Sequence, residues 1–233
     1  MKIYRSGIIG CGRIGSLFDE NKDLRKIHKW STHARMYNDF SKTKLVCASE
    51  KNSKLSKKFQ KRWGVKVYKN YFDMLDQEKL DIISICTNVN SHFKVLKKLI
   101  DKKIKIIFCE KPFVENLTQA KKIIKLSKEN ETLISINHRR RWEESYNKLK
   151  KEIIFNKRIG KIQSITAYYS GGISNTGSHL IDLMIYLFGN IKEVSAFSRS
   201  RKKDPELNCF INFKNNIECN LIPINNKKLM IFD

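Results

Sequence analysis

No stretch of this 233-residue sequence approaches the ~20 consecutive apolar residues that a membrane-spanning helix needs. The apolar run at 7–10 is too short for a signal peptide, so a soluble, cytoplasmic protein is expected. The six cysteines include no CxxC pair. Cys47, Cys86 and Cys109 lie in or at the ends of apolar runs, which points to reduced, structural thiols rather than a disulfide framework. The five histidines form no HxxxH or HxxE pattern and there is no cysteine cluster, so no metal is expected. Internal repeats are absent. Acidic residues are scarce, 23 against 47 Lys and Arg, giving a formal charge of +24. Such an excess attracts polyanions. Here, however, lysines such as Lys57, Lys58, Lys97, Lys98, Lys121, Lys122 and Lys125 fall on solvated helix faces, and no basic stripe interleaves with aromatics. Neither nucleic acid nor a membrane is expected as partner.

What is present is a βαβ rhythm. The apolar runs IYRSGII, KLVCAS, DIISICT, KIIFCE and TLISIN are each followed by a helical pattern. The continuous apolar character of 81–87 and 104–109 suits strands of a parallel sheet covered on both faces. Helices are expected over about 53–63, 91–102 and 117–130. In the last, Leu117, Ala120, Ile123, Ile124 and Ser127 share one face. Beyond Asn137 the pattern becomes α+β: a helix over 142–155, a strand over 161–169, a helix over 178–188, and strands over 194–200, 208–213 and 218–224. Antiparallel pairing is expected there, with a hairpin turn at Lys214, Asn215 and Asn216. The fold class is therefore α/β: a Rossmann domain over 1–138, then an incomplete α+β domain over 139–233 with an open, mainly antiparallel sheet. The second domain reads as unfinished because the chain ends on an apolar run.

The chemistry begins at Gly10, Gly12 and Gly15, a GxGxxG that follows an apolar strand and precedes a helical segment. The first glycine makes the turn, the second admits a pyrophosphate and the third allows close packing. A helix N-terminus then favours the phosphate charge. Glu50, closing KLVCASE, is placed to hold ribose hydroxyls and favours NAD, while Lys51 beside it keeps NADP open. Glu50 lies 35 positions after Gly15, against roughly 20 in the simple fingerprint, which an insertion over 16–31 explains. The other reading of Glu50 is a surface acid. Two further polar clusters, Cys86-Thr87-Asn88 and Glu110-Lys111-Pro112, fall at the carboxyl ends of strands, where open α/β sheets bind ligands.

The GxGxxG start, EKP at 110–112 and NTGSHLIDL at 175–183, with Thr32-His33-Ala34 and the NHRRR stretch at 137–141, resemble the glucose-fructose oxidoreductase and inositol dehydrogenase family (Gfo/Idh/MocA) over essentially the whole chain. The resemblance implies hydride transfer between NAD(P) and a hydroxyl or ketone of a sugar or nucleotide sugar. It implies that Lys111 and His179 are catalytic, with Asn175, Asp182, Arg139 and Arg140 toward substrate. Cofactor contacts are expected from Gly10, Gly12, Arg13, Ile14, Gly15, Glu50, Thr87, Asn88, His92 and Glu110. Lys111 would accept a proton if burial and the nicotinamide cation lower its pKa, a shift that pairing with Glu110 would oppose. A cis peptide before Pro112 is also implied. Asn175 departs from the family's DxGxH motif: an amide bonds a hydroxyl but takes no proton. Asp182, three residues beyond His179 on the same helical face, orients the imidazole, supports substrate or caps the helix. His179 itself reads alternatively as a core or capping residue, and the arginines as helix-surface charge. A homo-oligomer is left open, as is a noncatalytic dinucleotide binder.

Overall fold

Ile8 and Ile9 are adjacent and both buried, yet they belong to separate apolar clusters. Successive strand side chains point to opposite faces, so their strand is covered on both sides. The same division separates Cys47 from Ala48 on the next strand. The structure, a computed structural model, describes residues 2–21, 30–156, 160–197 and 204–224. It forms two compact units, Met1–Asn137 and His138–Asp233.

In the first unit, β1 (Tyr4–Ile9), β2 (Thr43–Ser49), β3 (Lys66–Tyr68), β4 (Ile82–Ile85), β5 (Ile106–Cys109) and β6 (Leu133–Ile136) form a parallel sheet in the order β3-β2-β1-β4-β5-β6. The order reverses between β1 and β4, and such a switch point opens a ligand crevice beyond the strand carboxyl ends. Helices α1 (His33–Asp39), α2 (Ser53–Trp63), α3 (Tyr71–Gln77), α4 (Val89–Asp101) and α5 (Leu117–Glu129) connect the strands. Side chains of Thr32, Asn52, Asn70 and Asn116 cap four of them by accepting from backbone N–H groups.

The expected apolar face of α5 is only partly buried. Ile123 is fully covered, but Leu117 and Ile124 are exposed. The reason lies in the sheet order: β6 is an edge strand, so a helix beside it has less sheet to cover, and Leu133 on β6 is exposed as well.

The second unit contains α6 (Glu144–Lys151), β7 (Ser164–Tyr169), α7 (Ser178–Phe188), β8 (Ile191–Phe197), β9 (Asn208–Phe213) and β10 (Glu218–Pro223). Its sheet order is β7-β10-β9-β8. β8–β9 and β9–β10 are antiparallel while β7–β10 is parallel, so the sheet is mixed and mostly antiparallel. The helix expected over 142–155 divides into a 3-10 turn at Arg139–Trp142, α6, and a π turn at Glu152–Asn156. The turn at 214–216 closes the β9–β10 hairpin, with Asn216 in the left-handed region and the Phe213 N–H donating to the Ile217 carbonyl. The parts of the expected strands at 198–200 and the terminal run at 225–233 lie outside the described residues.

Candidate functional site

Gly10 follows β1 with φ of +98°, and a Cβ there would stand 2.8 Å from the Cys86 carbonyl oxygen. Only glycine accepts that conformation and that approach. A Cβ on Gly15 would stand 2.3 Å from the Gly10 carbonyl oxygen, so the third glycine closes the turn on itself. Gly12 differs: a Cβ there meets nothing within 4 Å and projects into open space. That space, at the switch point between β1 and β4, fits the expected approach of a pyrophosphate. Arg13 is exposed, with its guanidinium over the Phe18 ring, and Ile14 is half-buried.

The expected helix immediately after the turn is absent among the described residues. Gly12 and Arg13 carbonyls accept from Leu17 and Phe18, and one 3-10 turn follows at Leu17–Glu20. Asp19, the buried residue of that turn, receives hydrogen bonds from Ser31 and Thr32 and lies 3.6 Å from Arg35 and 3.8 Å from Arg62. The insertion inferred from the long Gly15–Glu50 spacing is thus tied at its base, and its middle, 22–29, is outside the described residues.

Despite that spacing, Glu50 reaches the turn. One carboxylate oxygen accepts from the Cys11 N–H at 2.8 Å and the other from the Asn52 N–H at 2.8 Å. Burial and this carboxylate push the Cys11 thiol well above its ordinary pKa. Burial likewise raises Cys86 and Cys109, and Cys47 to about 12, and all six thiols are free.

Thr87 borders the Gly10 position, where a Cβ would lie 3.1 Å from its methyl carbon. Its hydroxyl bonds to Ser91, and Asn88 beside it is exposed. Lys111 is half-buried in the segment after β5, and its peptide bond to Pro112 is cis.

Two expected cofactor residues face elsewhere. His92 is fully buried: its Nε2 lies 2.9 Å from the Thr87 carbonyl oxygen and its Nδ1 2.9 and 3.1 Å from those of Pro112 and Phe113. It offers no surface to a ligand, so direct cofactor contact gives way to holding the backbone. Glu110 turns into a buried polar cluster that the sequence reading did not assemble. Its Oε1 is 2.9 Å from His33 Nε2 and accepts from Asn137 Nδ2 at 2.6 Å. The other ring nitrogen of His33 lies 2.8 Å from the Ser84 hydroxyl, which also bonds Tyr37. Burial alone would raise the pKa of Glu110, but the His33 and Asn137 bonds outweigh it and hold the carboxyl below its ordinary value. The visible hint was the Thr32-His33-Ala34 segment.

In the second unit, His179 occupies the second position of α7, half-buried, with its ring centroid 6.0 Å from that of His138. Asp182 accepts a two-pronged pair from Arg141, Nε to Oδ2 and Nη2 to Oδ1, each 2.8 Å, and His138 Nδ1 lies 3.7 Å from the same carboxylate. The third arginine of the run therefore has the structural role. Arg139 pairs with Glu143 at 3.0 Å and Arg140 is half-buried. Asn175 is exposed in the π turn Ile173–Gly177. Asp204 secures that turn by accepting from the Ser174 and Asn175 N–H groups at 2.7 and 3.1 Å. Nothing in the local sequence marks Asp204 as this partner, because it is 29 residues from Asn175. Among the described residues, no helix is long and apolar enough to cross a membrane.

Comparisons with known proteins agree with this fold. Myo-inositol 2-dehydrogenase of Thermotoga maritima is 28% identical over 158 residues, covering 67% of this chain and 42% of its own length. D-apiose dehydrogenase of Paraburkholderia graminis is 21% identical over 213 residues, covering 84% and 52%. The chain thus spans about half the length of the curated relatives it matches. In fold it resembles the WlbA dehydrogenase of Bordetella pertussis, solved with NADH and UDP-GlcNAcA, at a TM-score of 0.78 and 17% identity, covering 97% of this chain and 72% of that one. It also resembles myo-inositol 2-dehydrogenase of Lactobacillus plantarum at a TM-score of 0.76 and 22% identity, covering 96% and 71%. A family model described as an oxidoreductase family with an NAD-binding Rossmann fold matches residues 4–138, more than half of the chain. The chain belongs to that family, Gfo/Idh/MocA.

Proposed function

We propose that this chain binds NAD, with NADP as the lesser cofactor, and serves an oxidoreductase that interconverts a hydroxyl and a ketone on a sugar or nucleotide sugar. The observation that carries the reading is the Gly10–Gly15 turn, open at Gly12 and joined to the Glu50 carboxylate through the Cys11 N–H. A carboxylate there accepts from ribose hydroxyls and repels a 2′-phosphate. Bound nicotinamide supplies the hydride acceptor or donor. Lys111 takes the alcohol proton in oxidation and returns it in reduction, and His179 is the second proton-handling group. Asn175 orients substrate through its amide, and Arg139 and Arg140 attract an anionic substrate group. The carbohydrate class rests on relatives that act on inositol and apiose and on a neighbour that holds a nucleotide sugar.

The test is NADH turnover against keto-inositols, keto-sugars and nucleotide sugars. Activity lost in Lys111→Ala and kept in the exposed-surface control Lys97→Ala supports the reading; equal activity in both overturns the role of Lys111. Asn175, standing where a proton-accepting aspartate is expected, favours a second reading, a dinucleotide binder without turnover. NADH binding with no turnover across the panel selects it.

A further inference from the structure

Lys111 belongs to no regular element. β5 ends at Cys109 and α5 starts at Leu117, so no ladder or helix fixes the stretch between them. Backbone carbonyls in such a stretch take their donors from elsewhere. His92 faces two of them, at Pro112 and Phe113, with the same ring nitrogen. Its other nitrogen faces the Thr87 carbonyl, in the turn that follows β4 and borders Gly10. The histidine stands on α4, whose Val95, Leu96, Leu99 and Ile100 are buried in the main core. The ring is therefore carried by a rigid element and is itself fully covered.

A phenyl ring would fill the same volume without placing two polar nitrogens in the interior. Burying them is unfavourable unless they are bonded, so the chemistry of His92 lies in what it bonds. The ring stands between one lip of the crevice, at Thr87, and the backbone immediately after Lys111, with the Cys109 thiol 3.6 Å from Nδ1; a neutral ring donates at one of its nitrogens and a protonated ring at both. On the near side, Glu110 is fixed through His33 and Asn137. Lys111 is the residue between these two attachments.

We propose that His92 is a positioning residue: by placing a hydrogen-bond donor between the Pro112–Phe113 backbone and the turn at Thr87, it sets how the Lys111 amine is presented at the crevice. The proposal builds on the proton-handling role given to Lys111, but its test does not require turnover.

The full-length protein and its His92→Phe and His92→Gln variants are labelled with trace acetic anhydride at pH 8. Acetylation of Lys111 is read by peptide mass spectrometry relative to exposed Lys97. In His92→Phe, which donates nothing, the Lys111-to-Lys97 ratio is expected to change at least threefold, while the ratios of Lys94 and Lys105 stay within about 1.5-fold. His92→Gln, which keeps one amide donor, is expected to fall between wild type and His92→Phe. A Lys111 ratio unchanged in a folded variant overturns the proposal, and so does an equal change at all three lysines, since that reports general loosening. If His92→Phe does not fold, the same ratios in His92→Gln decide by the same criteria. Should Lys111→Ala retain turnover, the catalytic reading fails while the labelling result still stands or falls alone.

Discussion

Arg141 grips Asp182 with two hydrogen bonds of 2.8 Å, joining the 3-10 turn at the start of the second unit to the second turn of α7. The pair raises the pKa of the guanidinium through its bond to the carboxylate. Asp182 is mostly covered while Arg141 is over a third exposed, so the pair is stronger than a surface contact and weaker than a dry one. Arg141→Ala should lower stability by about 1–2 kcal/mol. In a urea double-mutant cycle with Asp182→Asn, the two losses should be less than additive. Fully additive losses would show that the pair is energetically silent.

Two glycines of the turn make separable predictions. Gly15→Ala forces a methyl group onto the Gly10 carbonyl and should cost about 1–3 kcal/mol of stability by overpacking. Gly12→Ala meets open space, so thermal unfolding should barely move while NADH affinity, followed by fluorescence, falls at least about tenfold because the methyl occupies the phosphate's approach. A Gly12→Ala variant that binds NADH normally would remove Gly12 from the cofactor site.

Glu50 sets the expected cofactor choice. Glu50→Ser removes the carboxylate beside the turn and leaves Lys51 as the nearest side-chain charge in sequence. NADH affinity should drop and NADPH affinity should rise relative to it, a combined shift of about 1.4 kcal/mol or more, which is roughly tenfold. Competitive fluorescence titration measures both; an unchanged ratio would return Glu50 to an ordinary surface acid.

The buried Glu110 makes stability depend on acid. Although burial opposes ionisation, bonds from His33 and Asn137 keep its folded-state pKa below the unfolded one. Its contribution is therefore complete above the unfolded value of about 4.3 and is lost as pH falls through the lower folded value. Glu110→Gln should flatten the decline in stability below about pH 4, measured by urea unfolding across pH 3 to 7. A variant as acid-sensitive as wild type would assign that decline to other carboxylates.

Much of this was readable because it is periodic. The strands at 208–213 and 43–49 and the helix at 178–188 announce themselves by apolar spacing, and Gly10, Gly12 and Gly15 by their fixed interval. β3 escaped because three residues carry too little pattern. The misjudged face of α5 depended on β6 being an edge, which is a property of strand order rather than of either segment. Pairings between distant residues were the least legible: Glu110 with His33 spans 77 positions and Arg141 with Asp182 spans 41. His92 could be singled out in the sequence, but only the fold shows that both nitrogens point at backbone.

The clasp at Asp19 has one more consequence. By receiving Ser31 and Thr32 from within the turn at Leu17–Glu20, it brings the two ends of the excursion together before α1 begins. The same ends meet again where the His33 and Ala34 N–H groups donate to the Ile14 and Gly15 carbonyls. The turn at Gly15 and the opening of α1 are thus one braced unit, so a substitution at Asp19 is felt at both Gly15 and His33.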